Sequence, residues 1–183
     1  MTKKNICLEL IRNIYDKTNA FDLVILYWTK NVTDRSYKIA KTLGKLCEAY
    51  VALQSLDPEV LKLIKRSNIS TTRLVSLIAR LKEFTHTTRT DILVGLPGES
   101  FDSHLQSLDK ALSYGVNDIL GGEVQLLPGS EMNTRESRDG FGLRTKYRFF
   151  EGASGIYKGE TIFELQEVIR ETNDMSETEM IRL

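Results

Sequence analysis

The sequence predicts an α/β protein, a partial (β/α) TIM-like barrel of about four parallel strands with flanking helices. Three observations support this fold class. Short, β-prone apolar runs alternate with longer segments whose apolar residues recur at helical spacing. The runs are mostly apolar rather than alternating, as expected for parallel strands buried on both faces. Glycine, proline or polar residues follow each run, and right-handed crossovers connect strands of this kind.

The first βα unit follows an amphipathic N-terminal stretch. Residues 4–16 carry apolar side chains at helical spacing, and residues 21–28 form the first predicted strand. Thr33 or Asp34 is a suitable N-cap for a helix that runs to about Cys47. This order of elements is the pattern that the rest of the chain repeats.

The second unit begins with a predicted strand at residues 49–53. The helix after it has Asp57 as its N-cap and Pro58 at its first helical position, where a missing N–H costs nothing. We expect this helix to end near Arg66.

Four further elements complete the predicted sheet and its helices. Ser70 or Thr71 caps another helix, and residues 90–94 form the third strand. A helix over 99–114 follows, and the fourth strand lies within 118–127. Four strands in this order predict parallel βαβ connections.

The pattern weakens after residue 130. Residues 131–148 are rich in charge and glycine and predict a loop with one short helix, whereas residues 160–172 predict a helix. The expected domains are therefore a partial barrel over 1–160 and a helical C-terminal extension over 161–183.

Composition excludes several classes of partner. The 183 residues contain 25 basic and 25 acidic side chains, so neutrality gives no electrostatic case for nucleic acid or an anionic membrane. No apolar run approaches the ~20 residues of a membrane span. The N-terminus does not read as a secretory signal, so we expect a cytoplasmic protein.

The sequence contains two cysteines, Cys7 and Cys47, each among apolar residues in a helical pattern. We interpret both as buried structural thiols, because free cysteine behaves as a small hydrophobe. A reducing compartment does not favour a disulfide. Two thiols also cannot form a four-thiolate zinc site or supply the usual iron–sulfur ligands, so no metal site is expected.

Ligands of parallel sheets bind beyond the carboxyl ends of the strands. The segment after the third strand is the most distinctive of the four strand ends. Gly95 removes a side chain so that a flat ligand can approach the backbone, and Pro97-Gly98 makes a tight turn. Glu99 suits the first turn of the next helix and is a candidate for substrate contact. The alternative is an ordinary turn with a helix-start carboxylate.

Other polar residues near the strand ends are weaker candidates. Gln54 and Ser55 end the second strand and can hydrogen-bond sugar hydroxyls, although Ser55 also suits a helix start. Arg66 alone reads as a solvated charge at a helix C-terminus. His86 and His104 have no partner at metal-ligand spacing, so we interpret both as surface or packing residues.

Two more groups are assigned by position. Trp28, Lys30 and Asn31 end the first strand and are candidates for substrate contact. Tyr147 and the pair Phe149-Phe150 are interpreted as core or interface residues rather than as a stack for a cofactor.

Several motifs together carry a family likeness over roughly residues 20–160. In chain order they are Trp28-Thr29-Lys30-Asn31, Leu53-Gln54-Ser55-Leu56-Asp57-Pro58-Glu59-Val60-Leu61, Ile64-Lys65-Arg66, Asp91-Ile92-Leu93-Val94-Gly95-Leu96-Pro97-Gly98-Glu99-Ser100 and Leu126-Leu127-Pro128-Gly129-Ser130-Glu131-Met132. The chain resembles the later half of a radical S-adenosylmethionine barrel. The group it most resembles carries a cobalamin-binding domain and includes methyltransferases and ring-forming enzymes.

The resemblance implies a site for S-adenosylmethionine, which a [4Fe–4S] cluster cleaves to a 5′-deoxyadenosyl radical in this family. It implies ribose contacts at the second strand's end, a carboxylate contact from Arg66, and adenosine contacts around Gly95 and near residue 126. The implied cofactor-binding residues are Gln54, Ser55, Arg66, Gly95, Leu96, Pro97, Gln125, Leu126 and Leu127. The resemblance leaves the substrate and the use of cobalamin open.

The chain departs from the family in one large respect. The family's CxxxCxxC motif, its first two strands and its cobalamin domain are absent from these 183 residues. We therefore expect a shortened gene product, an engineered fragment or one piece of a split protein. Without three thiolates the cluster cannot bind in the family's way, and this chain alone is expected to be inactive.

Three functional hypotheses follow. The first is a radical S-adenosylmethionine enzyme fragment that keeps part of the nucleoside site. The second is a non-catalytic subunit that completes a barrel with another chain or a second copy. The third is an unrelated βα-barrel enzyme whose Gly-Leu-Pro-Gly turn faces a phosphate. Strand 21–28 would expose an unpaired edge, so we expect a homo-oligomer or a partner chain that covers it.

Overall fold

The computed structural model describes Glu9, Asn13, Asp16 and residues 24–28, 34–83, 85 and 87–183. Its main sheet has four strands in the order β1-β2-β3-β4. The pairs β1–β2 and β2–β3 are parallel. The strands are β1 (Val24–Trp28), β2 (Cys47–Val51), β3 (Thr87–Val94) and β4 (Asp118–Glu123).

The helices alternate with these strands and continue after them. They are α1 (Asp34–Leu43), α2 (Pro58–Leu63), α3 (Thr71–Lys82), α4 (Phe101–Ser113), α5 (Arg135–Phe141) and α6 (Glu177–Arg182), with short 3₁₀ turns at Gly44–Leu46 and Glu131–Asn133. Between α5 and α6, β5 (Arg144–Tyr157) and β6 (Glu160–Glu171) form an antiparallel two-stranded ribbon. The α/β class is confirmed, whereas closure into a barrel stays a prediction.

Local sequence signals explain where several helices begin. The Asp57 carboxylate accepts hydrogen bonds from the backbone N–H groups of Glu59 and Val60, at 2.8 and 3.3 Å. Pro58 occupies the first helical position, as predicted. Helix α3 buries the apolar stripe that its spacing predicts, namely Leu74, Leu77, Ile78 and Leu81.

The chain divides into two compact units, each with its own core. The first unit comprises residues 1–56, 67–92 and 107–120. Its core joins one face of β2 to the buried stripes of α1 and α3. The buried side chains there are Ala40, Leu43, Leu46, Cys47, Ala49, Val51, Leu53, Leu74, Leu77, Ile78, Leu81, Ile92 and Val116.

The second unit comprises residues 57–66, 93–106 and 121–183. Its core gathers residues from α2, the ends of the strands, the base of the ribbon and α6. The buried side chains are Val60, Leu96, Val124, Leu126, Leu143, Ile169, Met175 and Met180.

The structure corrects three sequence-based expectations. Residues 160–171 form a strand rather than a helix, and residues 144–157 form its partner, although residues 144–148 were predicted to belong to a loop. Adjacent apolar residues interrupt the alternation in both strands, at Phe149-Phe150 in β5 and at Ile162-Phe163 and Val168-Ile169 in β6, so a period of two is visible only locally. Cys47 begins β2 rather than ending a helix, because the chain leaves α1 through the 3₁₀ turn.

One expectation, the N-terminal helix, lies largely outside the described residues. Of the helix predicted over residues 4–16, the structure describes Glu9, Asn13 and Asp16, which are helical. Within the part of the chain that is described, no helix has the length and apolar character to span a membrane.

Candidate functional site

The Gly95 turn, residues 95–99, follows the carboxyl end of β3. Gly95 and Gly98 have φ angles of 90° and 77°, values that side-chain-bearing residues rarely adopt. The Glu99 carboxylate accepts a hydrogen bond from the Gly95 N–H at 3.1 Å. The Glu99 N–H donates to the Leu96 carbonyl, also at 3.1 Å. The turn is thus closed by its own last residue.

His104 extends this arrangement into the first half of α4. Its Nδ1 lies 3.0 Å from the second oxygen of the Glu99 carboxylate. Glu99 and His104 are 0% and 3% exposed, so each polar group depends on the other inside the protein. Glu99 therefore points into its own turn, and His104 is a packing residue.

The missing side chain of Gly95 makes room for protein atoms. A Cβ built on this glycine would lie 3.2 Å from Met180 Cε and 3.4 Å from Ile169 Cγ2. Side chains of α6 and β6 fill the space on this side of Gly95, where the sequence predicted the approach of a flat ligand. Gly95, Leu96 and Pro97 are all buried in the chain as it stands.

Residues 125–127 extend β4 beside the ribbon. The Leu126 N–H donates to the Glu167 carbonyl at 2.9 Å, and the Ile169 N–H donates to the Val124 carbonyl at 2.9 Å. Leu126 is buried, whereas Gln125 and Leu127 are exposed. The backbone that the resemblance assigns to the adenine edge therefore already shares part of its hydrogen bonding with β6.

A cavity of about 570 Å³ lies beside the Gly95 turn within the second unit. Its apolar lining comprises Leu63, Ile64, Pro97, Met132 and Phe141. Polar side chains also line it, among them Lys65 and Glu131, which form an ion pair. The volume falls within the ~300–1,000 Å³ typical of small-molecule sites.

Gln54 and Ser55 belong to the first unit. Gln54 has a φ of 65°, and its N–H donates to the Asp91 carbonyl at 2.8 Å, beyond the ladder of β2 and β3. Ser55 is fully buried, and its carbonyl accepts from Asn68 Nδ2 at 2.8 Å. Gln54 lies three residues beyond the end of β2, and a non-glycine residue with a positive φ is the kind of strained position that clusters at functional sites.

The other predicted residues are placed as follows. Arg66 lies just beyond α2, where its N–H donates to the Leu61 carbonyl at 2.8 Å. Trp28 ends β1, in register with Val51. Lys30 and Asn31 lie outside the described residues.

Sequence reasoning missed a charged cluster on β2 and β3. Arg89 Nη1 lies 2.9 Å from the buried Glu48 carboxylate, and Arg89 Nε lies 2.5 Å from Asp118. Nearby, the Tyr50 hydroxyl donates to Asp91. The sequence of residues 87–91 could have indicated this cluster. Arg89 and Asp91 alternate there with threonines, whereas a fully buried strand would contain mainly apolar residues.

Comparison with known proteins gives two curated relatives. The chain is 32% identical over 182 residues to 2-(S-pantetheinyl)-carbapenam-3-carboxylate methyltransferase of Streptantibioticus cattleyicolor. It is 31% identical over 153 residues to the cobalamin-dependent radical SAM methyltransferase TokK of Streptomyces tokunonensis. The resemblance to radical S-adenosylmethionine enzymes is confirmed.

The alignments cover 95% and 81% of this chain but only 26% and 22% of the two curated relatives. The chain thus spans about a quarter of their length. No family model matches the sequence.

Solved radical S-adenosylmethionine structures share the fold. The methyltransferase TsrM of Kitasatospora setae, with tryptophan and a S-adenosylmethionine analogue bound, aligns over 82% of this chain and 31% of its own, with a TM-score of 0.54 and 19% identity. Coproporphyrinogen III oxidase (HemN) of Escherichia coli aligns over 67% of this chain and 28% of its own, with a TM-score of 0.53 and 15% identity.

The residues present do not fit a radical S-adenosylmethionine iron–sulfur cluster. Such a cluster needs thiolate ligands, and these 183 residues contain two cysteines. Cys47 is fully buried, and its burial, followed by the nearby Glu48 charge, raises its pKa to about 12. A thiol with that pKa stays protonated and is a poor ligand for iron. Cys7 lies outside the described residues.

Proposed function

We propose that this chain supplies part of the S-adenosylmethionine-binding portion of a cobalamin-dependent methyltransferase. The observation that carries the proposal is the 32% identity to the carbapenam methyltransferase across 95% of the chain. The reaction proposed is methyl transfer, because both curated relatives are methyltransferases. The iron–sulfur thiolates would come from outside these 183 residues, because Cys47 is a protonated, buried thiol.

The proposed nucleoside contacts in the second unit are those of the Gly95 turn and of residues 125–127. The resemblance carries this assignment, because the side of Gly95 that lacks a side chain already packs against Met180 and Ile169. Arg66 is proposed to pair with the methionine carboxylate. Charge-assisted hydrogen bonds of this kind are stronger than neutral ones.

The cavity beside Pro97 supports a ligand in this unit. Its apolar wall suits a nucleobase, and the polar side chains that also line it suit the charged end of an amino acid. For the first unit, the proposal keeps Gln54 and Ser55 as ribose contacts on the strength of the resemblance alone.

The test is calorimetric titration of the 183-residue chain with S-adenosylmethionine and with 5′-methylthioadenosine, which lacks the methionine carboxylate. We expect wild-type chain to bind both. The Arg66→Met variant should bind S-adenosylmethionine at least tenfold more weakly and 5′-methylthioadenosine unchanged. The matched control is Arg135→Met, which removes an equal charge from the exposed side of the same unit.

Two results would contradict the proposal. One is the absence of any binding heat at millimolar S-adenosylmethionine. The other is equal S-adenosylmethionine affinity in the Arg66→Met and Arg135→Met variants. That result would show that Arg66 does not contact the methionine carboxylate.

A second candidate is a non-catalytic subunit that completes a barrel with another chain. The protonated state of Cys47 favours it, because this thiol cannot contribute to a cluster. Co-purification with a protein that bears CxxxCxxC supports this candidate. Recovery of S-adenosylmethionine cleavage only in the reconstituted pair would then assign the chemistry to the partner's cluster.

A further inference from the structure

The ribbon of β5 and β6 carries an exposed apolar stripe on one face. Cross-strand register places Tyr147 opposite Glu167, Phe149 opposite Leu165, Ser154 opposite Phe163 and Ile156 opposite Thr161. Paired residues share a face of the ribbon, so the five large apolar side chains Tyr147, Phe149, Ile156, Phe163 and Leu165 lie together. The ring centroids of Phe149 and Phe163 lie 5.3 Å apart, which agrees with their position on the same face of the ribbon.

The stripe is exposed to a degree unusual for such residues. The exposed fractions of its five side chains range from 56% to 79%. At about 200 Å² for a full aromatic side chain, the stripe presents roughly 600 Å² of apolar surface. That value is at the upper end of the patches found on soluble monomers, and larger patches mark interaction sites.

The stripe continues a face that is already buried. At the base of the ribbon, Thr145 and Ile169 pair on the same face, and Ile169 is fully buried in the core of the second unit. A two-stranded ribbon alone is marginally stable in water and needs a packing layer. The opposite face mixes Lys146, Arg148 and Glu164 with the exposed apolar side chains of Ile162 and Tyr157, so charged residues interrupt its apolar surface.

We propose that the stripe packs face to face against the same stripe of a second copy of this chain. Two copies would bury roughly 1,200 Å², which reaches the ~1,200–2,000 Å² of stable interfaces. The contact is isologous, so a single two-fold rotation generates it and closes it at a dimer.

The test is sedimentation equilibrium of the full chain between about 1 and 100 μM. We expect wild-type dimer, and a dissociation constant raised at least a hundredfold in Phe149→Glu and in Phe163→Glu. The control is Ile162→Glu, which places the same charge on the opposite, also exposed, face of β6. All three sites are exposed, so circular dichroism should be unchanged in each variant.

A monomer at every concentration would overturn the proposal. A dimer that Phe149→Glu and Phe163→Glu leave intact would overturn it too, and would point to another surface such as the β1 edge. The proposal is independent of S-adenosylmethionine binding, so either can fail without the other.

Discussion

The Glu99 carboxylate lies between the Gly95 N–H and His104 Nδ1, at 3.1 and 3.0 Å, with no solvent exposure of its own. One buried side chain thereby ties the turn after β3 to the helix that follows it. A carboxylate at this position reads from sequence as a helix-start residue. The two contacts of the Glu99 carboxylate show that this side chain stabilises the predicted cofactor-binding segment.

Loss of the Glu99 side chain should destabilise the second unit. Glu99→Ala leaves the Gly95 N–H and His104 Nδ1 buried without partners, which should cost about 2–4 kcal/mol in the free energy of unfolding. Urea unfolding followed by circular dichroism measures it. Asp109→Ala, at an exposed position of α4, should change the free energy by less than about 0.5 kcal/mol. Equal effects of both substitutions would contradict the assignment.

The Glu48–Arg89 ion pair should show coupling in a double-mutant cycle. Arg89→Met leaves the Glu48 carboxylate buried and uncompensated, and should cost about 2–3 kcal/mol given the partial exposure of Arg89. Adding Glu48→Gln should recover most of that loss, because no buried charge then remains. Denaturant unfolding of the four proteins gives the coupling energy, and additive losses would show that the two charges do not interact.

Cys47 should be inert to thiol reagents in the folded chain. With a pKa raised to about 12 by burial, its thiolate fraction at pH 8 is about a thousandfold below that of an exposed cysteine. A Cys7→Ser variant leaves Cys47 as the one reporter. We expect reaction with iodoacetamide in guanidinium and almost none in buffer. Comparable rates in both would mean that the thiol is accessible.

Acid should weaken the base of the ribbon through Glu167. The hydrogen bond from Arg138, at 2.7 Å, holds the pKa of this carboxyl below its usual range, and the Thr145 hydroxyl adds to the effect. A lowered folded-state pKa contributes stability above the unfolded-state value, which is lost as the pH falls through the folded one.

Unfolding free energies between pH 7 and pH 2 check this. Wild-type stability should fall below about pH 4, and Arg138→Gln should flatten that fall because the unfolded and folded pKa values converge. Arg144→Gln, which removes the exposed partner of Glu171, serves as the control and should keep the wild-type profile. Identical profiles in both variants would contradict the role given to Arg138.

The positions of most helices and strands could be predicted from the sequence. Asp57-Pro58 fixes the start of α2, and the spacing of Leu74, Leu77, Ile78 and Leu81 fixes α3 and its buried face. These signals are local, because capping and periodicity act within a few residues. The ribbon was missed because its strands contain mixed apolar and charged residues whose faces only cross-strand pairing reveals.

The sequence by itself determined the order of strands and helices and the family likeness. It also showed that the two cysteines in these 183 residues are too few to ligate an iron–sulfur cluster. Tertiary structure decided what those residues contact. It directed Glu99 into its own turn, packed Met180 and Ile169 against Gly95, and left Phe149 and Phe163 in solvent. Burial and pairing of this kind depend on residues distant in the chain, as Gly95 and Met180 are. No local pattern specifies which of them will meet.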